Sequence, residues 1–220
     1  MSAVVGRRLE QRYGARRALG PLDLDVEEGE RLAVLGDNGA GKSTLLRILA
    51  TLARPAAGGL ELLGRDAMRH RDSLRPRIGY LGHETGLTPM LTARENLEFF
   101  CRLHRLPGAR ADRALVEVGL ARAADVRASN LSRGLQQRLA LARAVLANPD
   151  LLILDEPDAS LDASGRSVVE ELCRGRTVIL ATHDRPLARR LCGRALLLRD
   201  GRAGGDPWQL HVLEGGGALT

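Results

Sequence analysis

The stretch "GDNGAGKST", residues 36–44, combines residue types that bind phosphate groups. It follows the pattern Gly-x-x-x-x-Gly-Lys-Ser, in which the backbone N–H groups of a glycine-rich loop surround phosphates at the start of a helix. In this pattern Lys42 reaches the β- and γ-phosphates of a nucleotide, and the Ser43 hydroxyl is a ligand of Mg²⁺. Asp37 and Asn38 are expected mainly to shape the turn. The predicted nucleotide site comprises Gly36, Asp37, Asn38, Gly39, Ala40, Gly41, Lys42, Ser43 and Thr44.

Lys42 is the one lysine among 33 lysines and arginines. An ammonium group is a compact point charge that fits inside a tight loop, whereas a guanidinium group is planar, larger and restricted to fork-shaped contacts. A chain that uses arginine everywhere else therefore keeps lysine where the loop demands it. A phosphate loop is shared by kinases, GTPases and ATPases, so it indicates the ligand class and not the reaction.

A second group with the chemistry for this site is "LLILDEP", residues 151–157. Asp155 ends an apolar run, where its carboxylate can hold Mg²⁺ through water, and Glu156 beside it is a candidate general base for the attacking water. Paired acids at strand ends also occur as surface turns. The phosphate loop in the same chain favours the catalytic interpretation.

A third group lies in "LSRGLQQR", residues 131–138. Ser132 and Gly134 stand where a helix begins, and a helix N-terminus of this kind can bind an anion or can simply be capped by its serine. Leu139, Ala142, Val145 and Leu146 would form the apolar face of that helix.

Several apolar segments must hold these groups in place. Continuous apolar runs at 32–35, 151–155 and 177–183 predict strands buried on both faces of a parallel sheet, with a further strand at 195–201. Helical patterns between the runs predict an α/β fold. Residues 85–145 or so differ, because they predict a helical insert with a capping box at Thr92 and Glu95 and a second helix over Ala111–Val118. Of Phe99 and Phe100, one is expected to face the core.

The length and composition predict a single domain over residues 1–220. The net charge of +6 and the pI near 10.1 would suit nucleic acid or an anionic membrane, but no dense basic block stands apart from the helices. Aromatic residues make up only 2% of the chain, which argues against stacking on single-stranded nucleic acid. No nucleic-acid partner is expected.

The cysteines and the apolar segments bear on location. Cys101, Cys173 and Cys192 form no CxxC pair, so reduced thiols are expected. The first 14 residues or so lack the apolar core of a signal peptide, and no apolar run is long enough to span a bilayer. The sequence predicts a soluble cytoplasmic chain, for which another polypeptide would supply any membrane span.

In these motifs the chain resembles the nucleotide-binding subunits of ABC transporters, over nearly its whole length. "LSRGLQQR" is similar to the signature of that family, and "DEPDASLD", residues 155–162, is similar to its Walker B region and D-loop, whose last residue, Asp162, is implied to contact the nucleotide. His183, after "TVILAT", matches the switch histidine, and Tyr13 matches the aromatic residue that stacks on adenine. The resemblance implies a mostly parallel core sheet, an N-terminal antiparallel β subdomain and an inserted α-helical subdomain.

The resemblance also implies a head-to-tail homodimer with ATP held between the copies. Lys42, Ser43, Asp155, Glu156 and His183 would serve the nucleotide of their own copy, and Ser132 and Gly134 the nucleotide of the other. His183 would bond the γ-phosphate and hold the base and the attacking water in line. Integral membrane subunits would be further partners, so the chain would lie peripherally on the inner face of the cell membrane.

Two departures from the family pattern affect the site. In "IGYLGHETGL" His83 takes the place of a glutamine that senses the magnesium and the attacking water. Neutral imidazole can replace one hydrogen bond, but imidazolium would repel the metal, so ATPase activity is expected to fall as the pH drops through roughly 6 to 7. His83→Gln would test this, and Glu84 or water doing this work is the alternative. In the signature, Arg133 replaces a glycine and Leu135 a glutamine.

"YLGHETGLTPMLTARENLEFF" and "LSRGLQQRLALARA" are more similar to one branch of the family, the ATP-binding subunit of cytochrome c maturation, often called the haem exporter. This resemblance implies a role in haem export. Alternatives are an ABC exporter of another substrate, a soluble ABC ATPase acting on nucleic acid or ribosomes, and a P-loop kinase for a metabolite.

Overall fold

The N-terminal strands form an antiparallel sheet. The computed structural model describes residues 1–204, so the part of the predicted domain beyond residue 204 lies outside the described residues. The sheet has four strands in the order β2-β1-β4-β5, and β1 pairs with both β2 and β4. Its strands are β1 (Ser2–Tyr13), β2 (Arg16–Glu27), β4 (Ala57–Leu62) and β5 (Arg65–Asp66).

A second sheet of six strands, in the order β10-β9-β3-β8-β7-β6, is parallel except at its β9–β10 edge. Every residue of β7 and β8 is buried, as the apolar runs predicted. The strands are β3 (Arg31–Leu35), β6 (Ile78–Leu81), β7 (Leu151–Asp155), β8 (Thr177–Ala181), β9 (Arg194–Arg199) and β10 (Arg202–Ala203). The predicted α/β fold with its antiparallel subdomain is confirmed.

Helices follow most of the strands of this sheet, and a group of them lies between β6 and β7. The α-helices are α1 (Lys42–Leu49), α2 (Arg71–Leu74), α3 (Ala93–Leu103), α4 (Ala109–Glu117), α5 (Arg133–Val145), α6 (Ala163–Cys173) and α7 (Arg185–Leu191). Short 3₁₀ segments span Arg75–Arg77, Ala121–Ala123 and Ala128–Asn130. Among residues 1–204, none of the helices has the length and apolar character needed to cross a membrane.

The insert contains α3, α4 and the start of α5. Its predicted capping box is present, since the Glu95 backbone N–H donates to the Thr92 hydroxyl and the Thr92 N–H donates to the Glu95 carboxylate. The second predicted helix, over about Ala111–Val118, is present as α4, which begins two residues earlier, directly after Pro107 and Gly108, and ends before Val118.

Two hydrophobic clusters lie on opposite faces of the core sheet. Side chains alternate along a strand, so Ile153 joins the cluster that contains α1 and the antiparallel sheet, whereas Leu152 and Leu154 join the cluster that contains α3 to α7. On this second face α5 rests directly on β6. A Cβ atom on Gly79 would lie 2.3 Å from the Ala144 carbonyl oxygen, so the missing side chain permits this contact.

Candidate functional site

The loop that follows β3 holds its lysine by backbone carbonyls. Lys42 is buried, and its Nζ donates to the carbonyl oxygens of Gly36 at 2.7 Å and Asp37 at 3.1 Å. Two of the three ammonium donors are thereby engaged, which aims the charge across the loop and leaves one donor for a phosphate. The side chains of Asp37 and Asn38 are exposed at the turn, where the Ala40 N–H donates to the Asp37 carbonyl.

Two glycines allow this loop to pack against its neighbours. Gly41 caps the N-terminus of α1 with a φ of 103°, a left-handed conformation that favours glycine, and as a glycine it makes no side-chain capping bond. A Cβ on Gly41 would lie 2.5 Å from the Ala18 carbonyl oxygen, and one on Gly36 would lie 2.3 Å from that of Leu198. The helix N-terminus is therefore open to an anion and enclosed by backbone on both sides.

Asp155, at the end of β7, meets the Ser43 hydroxyl, which donates a hydrogen bond to its carboxyl group. Burial raises the pKa of Asp155, and the Ser43 hydrogen bond acts in the opposite direction. The Oδ2 atom is buried and accepts no hydrogen bond from residues 1–204. Hydroxyl and carboxylate oxygens are suitable ligands for Mg²⁺. This ion needs only one or two protein ligands when phosphate groups supply further oxygens. These residues fit a magnesium site.

Glu156 and His183 meet at the carboxyl ends of neighbouring strands. β7 and β8 are parallel and adjacent, with Asp155 opposite Ala181, so the residues after each strand lie side by side. His183 Nε2 lies 2.8 Å from Glu156 Oε1, and both side chains are partly exposed. Glu156 has a φ of 51°, which is uncommon for a residue with a side chain and is typical of functional positions.

His83 follows β6 and is exposed. It lies along a groove of about 930 Å³ that runs from Ser43 and Asp155 to Phe100 and Arg143 in the insert. An imidazole nitrogen is a poor match for Mg²⁺, which prefers oxygen ligands. The predicted role of His83 at the metal stays a prediction, and its position along the groove is compatible with a link between the site and the insert.

The predicted signature residues begin α5, away from the phosphate loop. The Ser132 hydroxyl accepts a hydrogen bond of 3.4 Å from the Leu135 N–H, and a Cβ on Gly134 would lie 2.9 Å from the Ser160 carbonyl oxygen. Arg133 occupies the first position of the helix and is exposed. The described elements place α1 and α5 on opposite faces of the core sheet, so the structure does not bring Ser132 and Gly134 to Lys42 of the same copy.

Two further predicted residues lie at the margins. Tyr13 ends β1 and is 53% exposed, in the hairpin whose second strand borders the loop at Gly41. Asp162 caps α6, where its carboxylate accepts from the Gly165 N–H at 2.7 Å and from Arg138 at 2.7 Å. The Gly165 N–H, more than Arg138, lowers the pKa of Asp162. Its carboxylate therefore has structural partners already.

Sequence reasoning missed Gln137 and the role of Arg138. The buried Gln137 amide donates to the carbonyl oxygens of Glu156 and Pro157, at 3.2 and 3.3 Å. Both residues stand in the quoted signature, but their partners are some twenty positions further along the chain. The sequence carried no signal for the Gln137 contact, because its partners are backbone carbonyls and its burial is known only from the structure.

A glycine-rich phosphate loop, a buried acid at a strand end and a carboxylate–imidazole pair on a parallel sheet define a P-loop nucleotide hydrolase. The ABC transporter family model matches residues 19–159, and the chain belongs to this family. It is an ABC-type ATPase domain that binds ATP.

Curated relatives match most of the chain. The chain is 41% identical over 218 residues to the daunorubicin resistance ATP-binding protein DrrA3 of Streptomyces coeruleorubidus, with 94% of this chain and 69% of that protein covered. It is 39% identical over 206 residues to the Nod factor export ATP-binding protein I of Burkholderia orbicola, with 89% and 67% covered.

Solved structures share the fold. One is the ATP-binding cassette MJ0796, a dimer in a post-hydrolysis state bound to ADP and Pi, with 29% identity, a TM-score of 0.84, and 92% of this chain and 97% of that chain covered. Another is cbiO1 from Clostridium perfringens, part of the ABC transporter complex cbiONQ, with 27% identity, a TM-score of 0.82, and 97% and 92% covered.

Proposed function

We propose that this ATPase hydrolyses ATP with Glu156 as the general base and His183 as the residue that orients it. The observation that carries the proposal is the 2.8 Å contact between His183 Nε2 and Glu156 Oε1, beside Asp155 and at the carboxyl edge of the sheet. A carboxylate held at hydrogen-bond distance by an imidazole is positioned to take a proton from water. Because the Nε2–H is directed at the Glu156 carboxylate, a neutral imidazole has no second N–H, so the bond to the γ-phosphate that the family resemblance implies would require the imidazolium form.

The loop of residues 36–44 binds the phosphates, with Lys42 as the charge inside it. Ser43 and Asp155 would hold Mg²⁺, which when bound neutralises charge on the phosphates. His83 would form a hydrogen bond at the magnesium end of the site. Asp162, in the segment after Glu156, would contact the nucleotide. Tyr13 would stack on the adenine ring, for which its exposed ring at the edge of the loop leaves room.

ATP is held between two copies arranged head to tail. The phosphate loop of one copy would face Ser132 and Gly134 of the second, because the two helix starts of one copy belong to opposite faces of its core sheet. The dimer of a 29% identical cassette bound to ADP and Pi supports this arrangement.

Membrane subunits are the further partners we propose, with this chain on the cytoplasmic face of the cell membrane. The similarity to cbiO1, which is part of a transporter complex, supports this. So does the insert surface, where Phe99 is 49% exposed while Phe100 packs against the core, as expected for one ring of the pair. The groove beside Phe100 leads from this surface to Asp155.

The transported substrate is proposed from the relatives. The names of the two curated relatives refer to daunorubicin resistance and Nod factor export, and neither name refers to cytochrome c maturation. The predicted role in haem export therefore has no support from them. We propose an export system of the drug-resistance or Nod-factor kind, which is the alternative of another substrate that the sequence left open.

Glu156→Gln tests the chemistry. In the purified protein with Mg²⁺ and ATP, it should lower the hydrolysis rate by roughly 10²–10⁴-fold, the usual contribution of a general base. It should also retain ATP and form a dimer that light scattering detects. Hydrolysis at the wild-type rate would contradict the proposal.

Co-purification with membrane proteins would support the transport role, whereas co-purification with ribosomes or nucleic acid would contradict it.

A further inference from the structure

One side chain of α5 holds two consecutive carbonyl groups beside the proposed base. Gln137 is 9% exposed, and its Nε2 donates to the Glu156 carbonyl at 3.2 Å and to the Pro157 carbonyl at 3.3 Å. A glutamine amide has two N–H donors, so this contact uses both. The geometry pins the backbone at the point where the chain leaves β7.

The backbone of Glu156 needs such support. Its φ of 51° lies in the left-handed region, which costs free energy for a residue with a Cβ and persists only where surrounding contacts fix it. The Glu156 N–H donates to the Ala181 carbonyl of β8 at 2.8 Å. The Glu156 carbonyl accepts from the Ala159 N–H at 3.2 Å as well as from Gln137. Strand β8 therefore fixes the N–H group of Glu156, and α5 fixes its carbonyl group.

Neighbouring residues of α5 hold the same segment further on. Arg138 donates to the Asp162 carboxylate at 2.7 Å and to the Ser164 hydroxyl at 2.6 Å. Gly134 lies against the Ser160 carbonyl. The first two turns of α5 thus bind residues 156–164 at several points along their length.

We infer that Gln137 is a positioning residue for ATP hydrolysis: it sets the backbone of Glu156 and so the direction of its carboxylate toward water and His183. The inference rests on the proposed role of Glu156 as the base. The start of α5 carries Ser132 and Gly134, which are proposed to serve the nucleotide of the other copy. The hydrogen bonds of Gln137 therefore link the base of one nucleotide site to the helix that serves the second site. A movement of α5 changes the alignment of Glu156.

Gln136 is a matched control on the same helix. Its Nε2 donates to the Ala128 carbonyl at 2.8 Å, within the insert and away from Glu156. Gln136→Met and Gln137→Met remove the same amide with almost no change in side-chain volume. They differ in which carbonyl groups lose a donor.

The experiment measures kcat and KM for ATP in the purified full chain with Mg²⁺. Gln137→Met should lower kcat by roughly ten- to a hundredfold, since small misplacements of a catalytic group have effects of this size, and should leave KM within about twofold. Gln136→Met should leave both constants near wild type. Gln137→Leu, which also removes both donors and introduces no charge, should behave like Gln137→Met.

Gln137→Met in a Glu156→Gln background should still form the ATP-dependent dimer, because binding does not require an aligned base. An unchanged kcat in Gln137→Met would overturn the inference. So would an increase in KM that matches the loss of kcat, or a failure of both Gln137 variants to fold, since either outcome assigns Gln137 to general stability. If Glu156→Gln itself hydrolyses ATP normally, the proposed function fails. If it is inactive while Gln137→Met is fully active, only this inference fails.

Discussion

The N-termini of α1 and α5 are both proposed to bind phosphate groups, yet the structure prepares them differently. At α1 the cap is Gly41, which makes no side-chain capping bond, and Lys42 lies in the loop. At α5 the cap is Ser132, whose hydroxyl already accepts a backbone N–H, and the helix carries Arg133 outward. The first can bind an anion alone, whereas the second supplies a partial set of donors.

In the proposed head-to-tail arrangement, this difference explains why each site would need two copies. The start of α1 would bind the nucleotide first, because Lys42 supplies a charge in its loop, and the bound terminal phosphate would then be a ligand for the start of α5 in the other copy. ATP would join the two surfaces.

The largest expected effect comes from Lys42→Arg. The Lys42 ammonium lies between two loop carbonyls, and a planar guanidinium does not fit there. Charged hydrogen bonds contribute about 1.5–3 kcal/mol each, so ATP affinity should fall by roughly a hundredfold or more. Fluorescent-nucleotide titration measures this. The reverse exchange on the same helix, Arg47→Lys, is the control and should change affinity little. Equal losses in both variants would contradict the special role of the loop.

Mixing two inactive variants tests whether the second helix start acts across the dimer. Lys42→Arg disables the loop and Ser132→Arg disables the start of α5. In a mixed dimer one site receives both defects and the other receives neither. With random pairing, roughly a quarter of wild-type ATPase activity should return, since half the dimers are mixed and each has one intact site. If the mixture neither hydrolyses ATP nor forms dimers with ATP, the proposal that two copies share each nucleotide site is wrong.

Asp155→Asn should stabilise the nucleotide-free protein while it abolishes hydrolysis. Burial raises the pKa of Asp155, so its charged form destabilises the folded state at any pH well above that pKa. The neutral amide avoids this, and each kcal/mol gained corresponds to roughly 2–4 °C in Tm for a chain of this size. The gain should be largest near pH 8 and shrink on acidification, as the wild-type carboxyl becomes protonated. Thermal unfolding across pH measures it, and a lower Tm would contradict the prediction.

The smallest expected effect is on the reactivity of two cysteines in the cluster that contains α3 to α7. Burial raises the pKa of Cys173 and of Cys192 to about 12, and both are buried in this cluster. Because the thiolate is the reactive form, a thiol reagent at pH 8 should not label them in the native protein and should label both after denaturation. Rapid native labelling would contradict the prediction and would indicate that this cluster opens readily.

The sequence predicted the site where its signals were local. The loop of residues 36–44, the acid at Asp155 and the serine cap at Ser132 each depend on a few adjacent residues, and the apolar runs predicted β3, β7 and β8 closely. The pairing of Glu156 with His183 followed only from the family resemblance, since it requires β7 and β8 to be neighbours.

The contacts that the sequence did not predict are non-local. Gln137 bonds carbonyl groups, which no side-chain pattern reveals, and those carbonyls belong to residues about twenty positions away. Arg138 finds Asp162 by the same packing of α5 on the segment after β7. The family's D-loop pattern predicted Asp162 as a nucleotide contact but gave no hint that it would cap α6.

The bare backbone of Gly79 has a consequence for the position of α5. The C-terminal half of α5 is seated on β6 at that point, while its N-terminal half projects into the insert. Near its N-terminal end α5 also bonds residues 156–164, so the helix is held at two places, on β6 and on the segment after β7. Any side chain larger than hydrogen at residue 79 would push α5 away from β6 and strain its bonds to that segment.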